Sequence, residues 1–295
     1  MNAEGARREW TASVNGTELR VEEAGAGAET VVFSPALFTN RELFDPVVAA
    51  LSDEYRCIRY DHRGQGDSGF GAPQPSRRLL GTEGLYEDVV ALLDQLGVET
   101  CHWVGASIGG FVGMRLAARH PDRVRSRVLI GPSMRRLSRA DLRQVAMFGW
   151  ALRVSHPLGR VGVAVRRRMT ERVMRNMFGA AFMSDPARAN DRETWRQRYF
   201  AQLVPKAMPM VREVFGHPGT PPELLARIKA PTLILVGDNP PVGVEPSVAA
   251  EEDRQIQQAI PGSRLVTIPG AGHMVLVEQP EAGTAAITDF IRTVR

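Results

Sequence analysis

The feature of this chain most suggestive of chemistry is a serine set among glycines, in the run Gly105-Ala106-Ser107-Ile108-Gly109-Gly110. A serine hydroxyl is a weak nucleophile until a neighbouring base takes its proton. The run follows the apolar stretch His102-Trp103-Val104 and precedes Phe111–Ala118, which reads as a helix. A G-x-S-x-G spacing between a strand and a helix is the setting of a nucleophile elbow. The tight turn would hold Ser107 in strained φ/ψ, and Gly105 and Gly109 would remove Cβ atoms that clash there. The hydroxyl would then stand at a strand's C-terminal edge and a helix N-terminus, where free N–H groups favour negative charge. Five loosely specified positions recur by accident, so the reading depends on its surroundings.

The elements that must position this serine alternate along the chain. Glu9–Val14 and Glu18–Glu22 flank Asn15-Gly16, a hairpin signal. Thr30–Ser34 and Tyr55–Tyr60 read as buried strands, separated by a helix over Arg41–Ser52 with apolar residues at helical spacing. Thr82–Leu96 is a second helix stopped by Gly97, and Ser126–Ile130 is the strand after the elbow helix. From Ser133 to about Pro222 strand signals vanish. Methionine and arginine dominate, with breaks at Pro157, Gly159, Gly162, Gly179, Pro186, Pro205 and Pro209. Several short amphipathic helices are expected there. The strand pattern returns over Pro231–Asp238, followed by a helix at Glu251–Ile260, a strand at Ser263–Ile268 and a last helix at Pro280–Val294. This alternation predicts an α/β fold with a mostly parallel sheet. The core would comprise residues 1–132 and 223–295, and 133–222 would form a helical cap inserted after the sixth strand.

Composition excludes several classes. With 43% hydrophobic residues the chain is ordinary for a soluble domain. Met1–Trp10 lacks the apolar region of a secretory signal, and no apolar run is long enough to span a membrane, so a cytoplasmic location is expected. Cys57 and Cys101 both fall in apolar strands and read as packed free thiols, without metal-ligand spacing. The net charge of +4 is uneven: 133–222 carries sixteen Arg and one Lys against six acidic residues, leaving the remainder acidic. Attraction between insert and body explains this simply, and steering of an anionic substrate is the sharper alternative. Nucleic-acid binding is not expected, because few aromatics accompany the arginines.

Parallel sheets carry their sites at the carboxyl ends of strands. Three such ends matter: Ser107, the Gly237-Asp238 turn, and His273 in Pro269-Gly-Ala-Gly-His273. Their chain order is Ser, acid, His. Tyr60-Asp61-His62-Arg63-Gly64-Gln65-Gly66-Asp67-Ser68, and Ile260–Ser263 through Glu278-Gln279-Pro280, add further motifs. Together these resemble the α/β-hydrolase superfamily from about Thr30 onward, closest in look to small esterases and enol-lactonases with a helical cap. The resemblance implies an α/β-hydrolase fold with helices on both faces of a twisted sheet. It also implies Ser107 as nucleophile and His273 as base. The Ile108 N–H and, from the loop after the third strand, the Leu37 N–H would form the oxyanion hole. Phe38 and Trp150 are expected pocket walls.

Two departures from the family pattern stand out. His-Gly is usual after the third strand, and here Pro35-Ala36 stands there. The usual acid lies three residues after the strand-end Gly, where this chain has Pro240. Asp238 is the nearest carboxylate, with Glu245, Glu251 and Asp253 as reserves that fit better as helix caps. The loop with Asp61, His62, Arg63 and Asp67 reads as bracing for the sheet edge. His102 and His120 read as structural, and His156 and His217 as surface residues beside the insert.

The expected function is a serine hydrolase of a carboxylic ester, lactone or thioester, acting on a small molecule without metal or organic cofactor. The departures keep open a non-hydrolytic enzyme of the same fold, catalysing C–C cleavage, cyclisation or elimination. A non-catalytic small-molecule receptor is a third reading. The basic insert leans toward an anionic substrate. Neither substrate identity nor oligomeric state is legible.

Overall fold

The computed structural model describes residues 7–71, 77–132, 139–216, 222–240 and 245–294. Eight strands form one sheet: β1 (Arg8–Val14), β2 (Thr17–Ala24), β3 (Thr30–Ser34), β4 (Arg56–Tyr60), β5 (Cys101–Ala106), β6 (Val124–Ile130), β7 (Thr232–Gly237) and β8 (Arg264–Ile268). Their order is β1-β2-β4-β3-β5-β6-β7-β8. The first two strands are antiparallel, and β3 to β8 run parallel. Asn15 at φ 44° and Gly16 at φ 70° make the two-residue turn between β1 and β2, as the Asn-Gly pair predicts.

The parallel strands are buried on both faces, which is why they read as unbroken apolar runs rather than alternating ones. Val31, Val32 and Phe33 are fully buried. Helices cover both faces. Helix α1 (Asp45–Leu51) packs with the last helix, while α2 (Thr82–Gln95) packs with α3 (Ile108–Arg119), the helix that follows Ser107.

Between β6 and β7 there is no strand among the described residues. Four helices stand out: α4 (Arg139–Ser155), α5 (Gly159–Met177), α6 (Ala189–Gln202) and α7 (Met208–Gly216). They are longer than the expected short pieces. Gly162 does not break the chain but lies inside α5, where a Cβ would come 1.9 Å from the Ser155 carbonyl oxygen. The glycine admits a close approach between α5 and the end of α4. Both expected ends of this insertion, and His217, fall at or within stretches outside the described residues.

Helix α8 (Pro246–Ala259) begins five residues before the expected start, with Pro246 pre-set for the first turn. Helix α9 (Pro280–Thr293) closes the chain. The two cysteines are buried free thiols, and burial pushes both up to about 12. No described helix is long and apolar enough to cross a membrane.

Candidate active site

The site is built where three strand ends meet. β5 lies between β3 and β6 in the sheet, and its register pairs Gly105 with Ser34. The chain then turns sharply: Ser107 sits at φ 49°, ψ −110° and its N–H donates to the Ile130 carbonyl oxygen at the end of β6. Few non-glycine residues adopt such a backbone, and surrounding structure must hold it. The flanking glycines do so. A Cβ at Gly105 would stand 2.4 Å from the Gly109 carbonyl oxygen, and one at Gly109 would stand 2.1 Å from that of Ser34. Helix α3 is thereby pressed against the ends of β3 and β5, with the half-buried Ser107 at its N-terminus.

His273 follows β8 by five residues and faces the same place. A narrow cleft with about 10 Å³ of water-accessible space is lined by Ala36, Leu43, Ala106, Ser107, Ile130 and His273–Leu276. Ser107 and His273 therefore share one wall. Burial pushes the His273 ring down to about 4, against the opposing charge of Glu252. The imidazole is neutral at physiological pH, the form that accepts a proton. Gly131, at φ 55°, supports the ring: a Cβ there would lie 2.8 Å from Nδ1 and 2.9 Å from the His273 carbonyl oxygen. Nothing in the local sequence marks that glycine as a neighbour of the histidine.

The loop after β3 is shaped by a residue the family pattern does not announce. Phe38 adopts φ 63°, and its N–H donates to the buried Gln65 Oε1 at 2.6 Å. His62 Nε2 lies 3.1 Å from the Pro35 carbonyl oxygen and 3.3 Å from Ser34 Oγ. Asp61 accepts from the Arg41 N–H at 2.7 Å, from its guanidinium at 2.6 Å and from the Asp67 N–H at 2.9 Å. The bracing role expected of this loop is what these bonds provide. They hold Pro35–Leu37 without using the Leu37 N–H, which has no hydrogen bond among the described residues; nor does the Ile108 N–H at the start of α3. Both residues are buried, Leu37 4% and Ile108 2% exposed.

Three of the expected site residues lie outside the lining of this cleft. Asp238 is exposed, and its Oδ1 accepts from the Gly270 N–H at 2.7 Å. No hydrogen bond joins it to His273 among the described residues. It braces the turn ahead of the histidine because Gly237 runs so close to residues 271–272 that a Cβ would meet the Ala271 carbonyl oxygen at 1.9 Å. Trp150 is 68% exposed on the outer side of α4 and is absent from the cleft lining. Phe38 is also absent from that lining. Its ring packs 6.4 Å from that of Tyr199 on α6, joining core to insertion. No arginine lines the cleft among the described residues, so this wall gives no support to an anionic substrate.

Glu278, part of the C-terminal motif, ties the insertion to the histidine loop. Its buried carboxylate accepts from the Gly179 N–H at 2.9 Å and from the Met274 N–H at 3.1 Å. Burial pushes it up to about 7 despite these donors. Arg188 donates to the carbonyl oxygens of Val277 and Glu278 at 2.8 and 3.0 Å.

The two carboxylates near the histidine loop can be separated by mutation. Asp238→Asn keeps an acceptor oxygen for the Gly270 N–H, so it is expected to change stability by less than about 1 kcal/mol and kcat/KM by less than about threefold. Glu252→Gln removes the charge that favours the His273 imidazolium and is expected to lower kcat/KM more than Asp238→Asn does. Parallel urea titrations and steady-state kinetics on the two variants check this. A larger rate loss for Asp238→Asn would contradict it.

Residues 29–280 match the profile of the α/β hydrolase fold. A 3-oxoadipate enol-lactonase of Acinetobacter baylyi is 27% identical over 278 residues, covering 91% of this chain and 90% of that protein. An sn-1-specific diacylglycerol lipase of Mus musculus is 26% identical over 280 residues, covering 91% and 83%. The crystal structure of the enol-lactonase from Burkholderia xenovorans LB400 superposes with a TM-score of 0.77 at 26% identity, covering 96% of this chain and 99% of that one.

Proposed function

The chain belongs to the α/β-hydrolase fold family, and from that premise we propose that it is a serine hydrolase cleaving a carboxylic ester, lactone or thioester of a small molecule. Relatives named as an enol-lactonase and a lipase support hydrolysis at an acyl carbon. The observation that carries the reading is the backbone of Ser107: a non-glycine residue at φ 49° heading a helix, in a cleft shared with a neutral histidine. Strain of this kind persists where a function requires the side chain's direction.

The proposed mechanism uses this chain's own groups. His273 takes the Ser107 proton as the hydroxyl oxygen attacks the acyl carbon. The Ile108 and Leu37 N–H groups, both without internal partners among the described residues, receive the oxyanion. The histidinium returns its proton to the leaving alcohol or thiol, giving an acyl-serine. A water, deprotonated by His273, then attacks the acyl carbon, and the histidinium returns that proton to the Ser107 oxygen as its bond to the acyl carbon breaks and the acid leaves. Glu252 stabilises the histidinium, and the insertion between β6 and β7 forms a cap whose Gly179 turn abuts the histidine loop.

The depressed His273 pKa tests the assignment of the base. A base with pKa near 4 stays neutral between about 4 and 6.5, where an ordinary histidine is already charged. The acid limb of kcat/KM for a p-nitrophenyl acyl ester is therefore expected well below pH 6.5. The same shift has a folding consequence, because the folded state binds fewer protons in that window. Its stabilising contribution is present above 6.5 and is lost as pH falls through about 4. An acid limb at 6.5 or higher would remove His273, in this environment, from the role. No turnover of any acyl ester or lactone in a panel would remove the hydrolase reading itself.

A further inference from the structure

The outer face of the insertion is built unlike the rest of the surface. On α4, Met147, Trp150 and Val154 recur at helical spacing and stand 70%, 68% and 45% exposed. Leu158 in the following turn is 51% exposed, and Val161 and Val163 at the start of α5 are 65% and 45% exposed. An apolar stripe at this spacing is ordinarily the buried side of a helix. Here α4 has its inner side on α5 and α7, and the stripe points outward. Six of the seven large hydrophobic side chains exposed among the described residues lie on this one hairpin. Such a concentration of exposed apolar side chains on one surface hairpin marks an interaction surface.

Charge identifies the partner. Residues 139–177 contain nine arginines, no lysine and two acidic residues. Outside the insertion many arginines are paired, among them Arg20 with Glu9, Arg56 with Glu23 and Arg123 with Asp94. Arg153, Arg160 and Arg168 are exposed and carry no ion pair among the described residues. Apolar side chains at a hairpin apex, an exposed tryptophan and unpaired arginines beside them match the requirements of an anionic phospholipid surface. Two copies meeting through this patch about a two-fold axis would instead bring the same arginines together.

We propose that the α4–α5 hairpin docks the protein peripherally on anionic phospholipid membranes. Trp150 and Met147 insert at the headgroup boundary while Arg153 and Arg160 meet the lipid charge. This docking is independent of the chemistry at Ser107.

Sedimentation of the protein with phosphatidylcholine vesicles, with and without phosphatidylglycerol, tests the proposal. Wild type is expected to partition at least about tenfold more strongly into the phosphatidylglycerol vesicles, with a loss on raising salt. Met147→Ser combined with Trp150→Ser should weaken that partitioning at least about tenfold. Arg153→Glu combined with Arg160→Glu should remove the preference for anionic lipid. All four side chains are exposed, so an unchanged Tm is expected. The tryptophan emission of wild type should shift to the blue on adding anionic vesicles, and that shift should vanish in Trp150→Ser. Equal binding to both vesicle types, no binding at low salt, or serine variants that bind like wild type would overturn the proposal. So would vesicle-free sedimentation that shows dimers dissolved by the serine substitutions, which would assign the patch to a second copy.

Discussion

Alanine at position 107 is expected to reduce ester turnover by about 10⁴- to 10⁶-fold while leaving the fold intact. The size of the effect follows from how the site works as a unit. Without the Ser107 oxygen there is no acyl-enzyme, and His273 and the two backbone donors retain only their contribution to a direct attack by water. The fold survives because the substitution removes one oxygen from a half-buried position. The turn itself is held by the Ser107 N–H on the Ile130 carbonyl and by the glycines beside it, none of which the substitution touches. Active-site titration and thermal melts on one preparation separate the two quantities. A variant that retains more than about one hundredth of wild-type kcat would mean that the reaction does not pass through Ser107.

Gly109→Ala is expected to act in the opposite way, through the fold. A Cβ there would stand 2.1 Å from the Ser34 carbonyl oxygen and 2.7 Å from Ser34 Oγ. Backbone at the end of β3 cannot rotate aside as a flexible side chain does, so the strand end and α3 must separate. The expected cost is at least about 3 kcal/mol, at the upper end of overpacking effects. The neighbouring Gly110 supplies the control. A Cβ at that position meets Leu129 Cδ2 at 3.5 Å, an ordinary contact. Gly110→Ala in the first turn of a helix is therefore expected to be neutral or to stabilise by up to about 1 kcal/mol. Urea denaturation of the pair measures the difference, and similar stabilities for the two variants would contradict the packing argument.

The two glycines also show what could be read from the sequence. A G-x-S-x-G between an apolar run and a helical one specifies close approach in the turn, because no other residue type fits. The strands were legible for a similar reason: burial on both faces leaves Val31–Phe33 and Leu233–Val236 with no polar alternation to mislead. For Asp238, strand-end position says where a carboxylate begins and not where it points. Its direction is set by the Gly270 N–H, thirty-two residues later. Glu252 lies within α8, and only the packing of that helix brings its charge to bear on His273. The direction of Trp150 is hidden for another reason. A Met-Trp-Val stripe at helical spacing looks the same whether its helix turns it toward a cleft or toward the surroundings, and here it faces outward. The loop after β3 departs from the usual His-Gly, yet Phe38 takes the positive φ there with Gln65 bonded to its N–H. That compensation joins residues twenty-seven apart and has no local sign.

The central claim is that Ser107 is a nucleophile activated by the groups around it. Intact-mass spectrometry after brief exposure to a fluorophosphonate tests it without knowledge of the substrate. Wild type is predicted to gain one phosphonyl adduct, and Ser107→Ala to gain none under the same conditions. An unlabelled wild type, or an adduct that persists in Ser107→Ala, would contradict the account.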